Sequence, residues 1–308
     1  MSHSGYVYWT YFVWLECFLI LAFNGLAISA VLRNGNLRRQ TVNIYLLCLL
    51  STHFMLGLWG MTEAVLFSAT QKHSSEYKPT AARRISTMLY ISIQCCTFSA
   101  LVLVTMDRYI AVHRPLSYQK LSARFIVGSI IIAVIPAAFF GGISVLTELS
   151  RLVSALFCAV TFIGGLFVTF VNVTAYLVAR RHFRNIMKNC VGNGCGSSNV
   201  ANSLILQRRQ RSLIVTLVLV LTFFIAWTPS FVNLAVAATG RKISRSTVVV
   251  SFALLLFNSC VDPLVYALLN VGLRRELMKM VRVWKHKVSP LHAKETKNAQ
   301  PTGSVQLE

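Results

Sequence analysis

Asp107 and Arg108 are the residues of this sequence best placed to do chemistry. They stand side by side, followed by Tyr109, where the apolar run Ile85–Met106 meets a basic loop. Ionisable groups at membrane depth are costly, are usually kept for function, and are normally balanced by a neighbour. Here a carboxylate and a guanidinium can balance each other. Met106-Asp107-Arg108-Tyr109 means little alone; its place at the end of the third long apolar run gives it weight. Bond-making chemistry is poorly supplied by comparison. A zinc site needs clustered nitrogen or sulfur ligands. Only His53 falls in the middle of an apolar run, while His3, His73, His113, His182, His286 and His292 fall at ends, loops or tails. No enzymatic activity and no cofactor is expected.

The elements that must position these residues follow from composition. The chain has 308 residues, 55% apolar and 13% charged, with a mean hydropathy of +0.61. That is the composition of a membrane protein. A helix of about 20 apolar residues crosses a bilayer. Seven segments qualify: Tyr8–Leu32, Val42–Ser68, Arg83–Val112, Phe125–Thr147, Leu152–Ala179, Leu213–Thr239 and Ser246–Leu269. They are spans one to seven. The expected fold is an all-α integral membrane bundle of seven helices, a single domain over residues 8–270 behind a short outer N-terminus at 1–7.

Basic residues set the expected orientation. With the N-terminus outside, most of the 30 Lys and Arg residues fall in inner loops and the C-terminal region. The outer side keeps Lys72, Lys78, Arg83, Arg84, Arg151, Arg241, Lys242 and Arg245. The positive-inside rule favours N-out and C-in, and the net charge of +21 reads as topology plus attraction to anionic inner-leaflet lipid. Nucleic acid is a poor partner for basic residues spread over separate loops. Span one lacks a preceding basic region and is long enough to cross, so it reads as a signal anchor and not a cleaved leader.

Cys17, Cys48, Cys95, Cys96, Cys158 and Cys260 fall within spans and read as small packing residues. Cys190 and Cys195 fall in the third inner loop, a reducing compartment. That loop, Asn189–Ser198, has a flexible composition. After span seven, Leu273, Leu277, Met280, Val281, Trp284 and Val288 share one helical face, with Arg274, Arg275, Lys279, Arg282, Lys285 and Lys287 on the other. The expectation is an amphipathic helix over 271–288 on the inner membrane surface, then a polar, disordered tail over 289–308. No internal repeat is evident, which argues against a transporter.

Several motifs then agree in order. Asp107-Arg108-Tyr109 ends span three; Phe223 and Trp227-Thr228-Pro229 sit on span six; Asn258-Ser259 and Asp262-Pro263-Leu264-Val265-Tyr266 sit on span seven. Asn24 lies mid-span one and Tyr176 near the inner end of span five. Together they closely resemble the rhodopsin-like (class A) G-protein-coupled receptors over about residues 8–287. The resemblance implies signalling to heterotrimeric G proteins, with arrestin as a further partner, by a multi-pass protein of the plasma membrane. It implies a coupling site of Asp107, Arg108, Tyr109, Tyr176, Asp262, Pro263 and Tyr266. Phe223, Trp227 and Pro229 form the implied hinge of span six, since prolines inside helices remove hydrogen bonds and permit kinks. Ordinary core packing is the plainer reading of Phe223 and Trp227.

Within that family the chain looks most like the melanocortin-related branch. Asp262 stands where most relatives have Asn, the outer loop at Glu148–Arg151 is short, span five lacks its usual proline, and Glu63 matches an acidic ligand position. Departures are equally informative. Arg83 replaces the cysteine that usually ties span three to the second outer loop. Tyr90 stands where amine receptors carry an acid, so biogenic amines are not expected; span seven has no lysine for retinal. An outer pocket between spans two, three, six and seven is implied, with Glu63, Arg83, Tyr90 and Trp227 as lining. The basic outer rim suggests an anionic or lipid-like ligand, against the alternative of a solvated rim.

His53 aligns with the Asp of the family's sodium pocket, whose other positions are Asn24, Thr97, Asn258, Ser259 and Asp262. A His53–Asp262 charge-assisted hydrogen bond is expected to replace the ion; a neutral core histidine is the alternative. At the foot of span six, Gln207-Arg208-Arg209-Gln210-Arg211 stands where relatives carry an acid that latches the span-three arginine. Like charges cannot latch Arg108, so basal signalling is expected. A non-signalling decoy or scaffold receptor is the main alternative.

Overall fold

Residues 3–70, 81–114, 118, 120, 122–144, 150–193, 197–238, 241 and 244–298 are described by a computed structural model of the chain. These residues form helices and turns, with no strand among them. Nine helices follow one another among the described residues. They are α1 (His3–Arg33), α2 (Gly35–Arg38), α3 (Thr41–Thr70), α4 (Ala81–His113), α5 (Ala123–Ser144), α6 (Ser150–Asn193), α7 (Ser197–Ala238), α8 (Arg245–Leu269) and α9 (Val271–Asn298). Seven carry membrane-length apolar stretches: Tyr8–Arg33, Thr41–Val65, Arg84–His113, Ala123–Ile143, Ala155–His182, Leu213–Asn233 and Ser246–Leu268. The expected seven-span all-α bundle is therefore what the chain forms.

Span three is central. It packs against spans two, four, five and six, while span one closes the ring by packing on spans two and seven. Span four is the most peripheral, with only 11% of its apolar window buried. Ile131, Ile132 and Ile135 on it are exposed, as apolar side chains facing lipid should be. Small residues allow close approach between spans, as is usual in membranes. A Cβ added at Gly164 of span five would sit 2.7 Å from the Phe98 ring of span three.

At two places helix continues past the end of the apolar run. α6 and α7 continue as helix through Asn193 and from Ser197, so Asn189–Asn193 and Ser197–Ser198 are helical, and 194–196 lie outside the described residues. α9 runs to Asn298, ten residues past its expected end at 288. Helix formation does not need apolar residues, and the Arg, Lys, Gln and Glu of segments such as 207–211 and 274–287 are good helix formers, so helices outlast the hydropathy signal there. The outer loop at 145–149 and the tail from 299 onward lie outside the described residues.

Short caps set the join between span seven and α9. Asn270 leaves the helical region, at φ −93° and ψ 101°, and its Oδ1 accepts from the backbone N–H of Gly272 at 3.1 Å and of Leu273 at 3.2 Å. This is the N-cap arrangement that starts a new helix. Leu273 is then buried, with Leu277 and Met280 packed on the main core. Asn34 Nδ2 donates to Glu276 Oε1 at 2.9 Å, tying α9 to the start of α2. Hydrogen bonds from Lys279 and Asn34 hold the Glu276 carboxyl below its ordinary range, so it stays ionised.

Candidate functional site

At the C-terminal end of span three, Arg108 turns back onto its neighbour. Arg108 Nε donates to Asp107 Oδ2 at 2.9 Å, and Arg108 Nη2 reaches the same oxygen. The Asp107 side chain is almost wholly buried and that of Arg108 13% exposed. A third residue completes the cluster: Tyr118 OH donates to Asp107 Oδ1 at 3.0 Å and accepts from Arg108 Nη2 at 3.4 Å. Burial pushes the Tyr118 hydroxyl up to about 12, so it remains a proton donor at neutral pH. Tyr118 is not legible in the sequence; its only signal is a tyrosine in the loop after Tyr109.

Tyr109 stacks on His113 with centroids 4.0 Å apart. Tyr109, Val112 and Tyr176 pack around Ala175, Ala179 and Leu213, joining spans three, five and six. Tyr266 is buried, and its hydroxyl makes no hydrogen bond among the described residues. It lies within electrostatic reach of Arg108, Asp262 and Asp107. The side chains of Gln207–Arg211 lie outside the described residues; their backbone belongs to α7.

The prolines of spans six and seven act on their local carbonyls differently. Pro229 removes the N–H that would bond to Ile225, and Thr228 Oγ1 donates to the Phe224 carbonyl at 2.6 Å. Such back-bonding tends to bend helices. Just inward of that break, Trp227 packs on Phe223 at 5.3 Å and edge-on to Phe157 at 5.9 Å. Phe223 in turn meets Phe98 of span three at 5.8 Å. Pro263 likewise frees the carbonyl of Ser259, but there Asn24 Nδ2 from span one donates to it at 3.0 Å. The break in span seven is thus bridged from outside, and the break in span six is not bridged by any such side chain among the described residues.

His53 and Asp262 meet in the bundle interior. His53 Nε2 lies 3.6 Å from Asp262 Oδ2, with the His53 side chain fully buried. Asn258 Nδ2 donates to the same oxygen at 3.5 Å. Both His53 nitrogens, Asp262 Oδ1, Asn24 Oδ1 and Asn258 Oδ1 are buried without a hydrogen bond among the described residues. Ser259 is buried beside them, whereas Thr97 turns its hydroxyl back to the Ile93 carbonyl at 2.9 Å.

A cavity of about 260 Å³ lies between spans one, two and seven, lined by Trp9, Thr10, Val13, Trp59, Glu63 and Phe252 among others. Glu63 faces it. Ser86 of span three donates to Glu63 Oε2 and accepts from Trp59 Nε1 at 2.9 Å. Tyr90 stands behind this wall, its ring 4.7 Å from Trp59 and 6.5 Å from Phe252. Trp227 is not part of the lining, because it is enclosed by the aromatic side chains of spans five and six. The Arg83 side chain lies outside the described residues. Glu16 of span one is a further buried acid that hydropathy hides: it is 4% exposed, with Oε2 unbonded among the described residues. Its one sequence signal is that it is a lone acid inside an apolar run.

Comparison with known proteins agrees with this geometry. The sequence model of the 7 transmembrane receptor (rhodopsin family) matches residues 23–266. The chain is 25% identical over 283 residues to trace amine-associated receptor 7b of Mus musculus, covering 84% of this chain and 77% of that protein. It is 24% identical over 229 residues to C5a anaphylatoxin chemotactic receptor 1 of Oncorhynchus mykiss, covering 67% of this chain and 62% of that protein. Neither relative is a melanocortin receptor, so that branch gains no support. With a family match spanning most of its length and the motifs in place on the right spans, the chain belongs to the rhodopsin-like (class A) family of seven-transmembrane G-protein-coupled receptors.

Proposed function

We propose that the receptor activates heterotrimeric G proteins from the plasma membrane, N-terminus outside, through an outward swing of the inner half of span six about Pro229. The observation that carries this reading is the Asp107–Arg108–Tyr118 cluster, a buried ion pair at the inner end of the central span. Its arginine is held by groups of its own span and loop, and the unbridged break at Pro229 supplies the moving part. Arg108, Tyr176 and Tyr266 form the coupling surface once span six moves, with arrestin as a second user of it. Expression in cells against a broad panel of G proteins tests this directly. Agonist-independent activation through at least one G protein, lost in Arg108→Ala at equal surface expression, is the expected result. Silence across G-protein and arrestin readouts alike would instead mark a decoy or scaffold.

The ligand approaches over a basic rim that includes Arg84 and Arg241, both exposed, so an anionic or lipid-like molecule is the class proposed. The relatives' names, one citing a trace amine and one C5a, point in different directions and do not choose between classes. Competition binding with a library of anionic lipids and peptides is the measurement. Affinity should fall several-fold in Arg84→Ala plus Arg241→Ala; unchanged affinity would show that the rim is merely solvated.

A further inference from the structure

A cleft of about 300 Å³ opens between spans three, four and five. It exists because span four leans on span three and only lightly on span five. Phe98 and Ser99 of span three, Ile132 and Pro136 of span four, and Phe157 and Val160 of span five line it. Ile132 and Val160 are exposed on the outside of the bundle, so the mouth of the cleft opens to lipid. Phe98 also meets Phe223, and Phe157 meets Trp227. An occupant therefore touches the aromatic side chains that back the break in span six.

Two polar groups interrupt this apolar wall. The Ser99 hydroxyl makes no hydrogen bond among the described residues. Pro136 stands inside α5, so it has no N–H to give to the Ile132 carbonyl. The other hydroxyls of the wall are committed. Thr161 donates to the Phe157 carbonyl at 2.6 Å, and Ser129 to the Ile126 carbonyl at 2.7 Å. Ser99 and Ile132 both lie near the middle of their apolar stretches, Arg84–His113 and Ala123–Ile143. The pair thus stands near the bilayer midplane, where a polar group without a partner is costly.

A plain hydrocarbon would fill the cleft and leave both groups unmet. A phospholipid cannot bring its headgroup so deep. One hydroxyl on an otherwise apolar molecule meets both, accepting from Ser99 and donating to the Ile132 carbonyl. That hydroxyl must sit about 15 Å below the interface, half of the roughly 30 Å hydrocarbon core. A sterol anchored at the interface by its ring hydroxyl extends through about a leaflet. A second hydroxyl, at the end of its side chain, reaches that depth. Its rigid rings also lose less freedom on binding than an acyl chain does.

We propose that this cleft binds one sterol hydroxylated on its side chain. The side-chain hydroxyl bonds Ser99 and the Ile132 carbonyl, and the rings lie along Phe157 and Val160. The site stands independently of G-protein coupling, because it depends only on the cleft and its two polar groups.

The test uses the full chain purified in detergent and tritiated cholesterol that carries a hydroxyl at the end of its side chain. Unlabelled cholesterol and a mid-chain hydroxystearic acid are the competitors. Saturable binding is expected, with cholesterol competing roughly tenfold more weakly than the unlabelled hydroxysterol, the scale set by hydrogen bonds to buried groups. Ser99→Ala should cut that preference roughly threefold or more. Pro136→Ala restores an N–H that engages the Ile132 carbonyl within the helix, and should cut it likewise without removing a hydroxyl. Thr174→Ala, which removes a hydroxyl of span five outside the cleft, should leave it unchanged. Val160→Trp fills the cleft and should abolish binding. Absence of saturable binding, equal affinity for cholesterol and its hydroxylated form, or a preference that survives both Ser99→Ala and Pro136→Ala would overturn the site. Competition by the hydroxystearic acid as strong as by the hydroxysterol would overturn the sterol as its occupant.

Discussion

Substituting asparagine for Asp107 should raise agonist-independent G-protein activation roughly tenfold or more, an amount set by the hydrogen bonds lost. The Asp107 carboxylate accepts from Arg108 through one oxygen and from Tyr118 through the other. Charge-assisted bonds of this kind contribute about 1.5–3 kcal/mol each when buried. The bonds from Arg108 exist only while it stays folded against its own span, so their loss raises the closed state relative to the open one. A shift of about 1.4 kcal/mol is tenfold in that ratio. Asparagine keeps the size of the side chain and removes the charge, which separates latch from packing. Tyr118→Phe should act in the same direction by less, roughly threefold to tenfold, because it removes one partner of the carboxylate and leaves the ion pair. The double variant should fall short of the product of the two, since both act on one carboxylate. Second-messenger output normalised to surface receptor measures all three. Basal output at the wild-type level in Asp107→Asn would mean that the ion pair does not hold the receptor closed.

Tyr118 shows where legibility in the sequence ends. Membrane spans announce themselves because a continuous apolar run of about 20 residues matches the thickness of the bilayer's hydrocarbon core. The seven expected spans match the helices to within a few residues at most ends, and Asp107, His53 and Asp262 can be placed at depth from position alone. A loop tyrosine carries no such mark, and its partner is decided by the tertiary fold. The same holds for the outer cavity. Glu63 is legible as an acid near the outer end of span two. That spans one and seven, with Trp9 and Phe252, supply its walls depends on how the ring closes. Glu16 is hidden for the opposite reason: a run scored by average hydropathy absorbs a single acid without trace. The extension of α6, α7 and α9 into basic sequence is hidden because length in a membrane is bounded by apolar residues, whereas length in water is bounded by propensity and caps.

The buried pair His53–Asp262 makes the second large prediction. In relatives that carry an acid at the position of His53, its carboxylate and nearby oxygens offer a hard cation the ligands it prefers, and oxygen ligands are what such ions select. An imidazole removes one negative charge and two oxygens from that set. Thermal unfolding of the wild-type receptor should therefore be the same in sodium chloride and in choline chloride at equal ionic strength. His53→Asp should gain a midpoint that rises with sodium, since an ion that binds only the folded state stabilises by mass action. The pair itself is tested by a cycle of His53→Leu, Asp262→Asn and the double variant. Removing one partner leaves the other buried without its neighbour, while removing both is often close to neutral. The cost of the double variant should thus be well below the sum of the singles. Additive losses would show that the 3.6 Å approach of His53 Nε2 to Asp262 Oδ2 carries no coupling, and a sodium response in wild type would show that the imidazole has not displaced the ion.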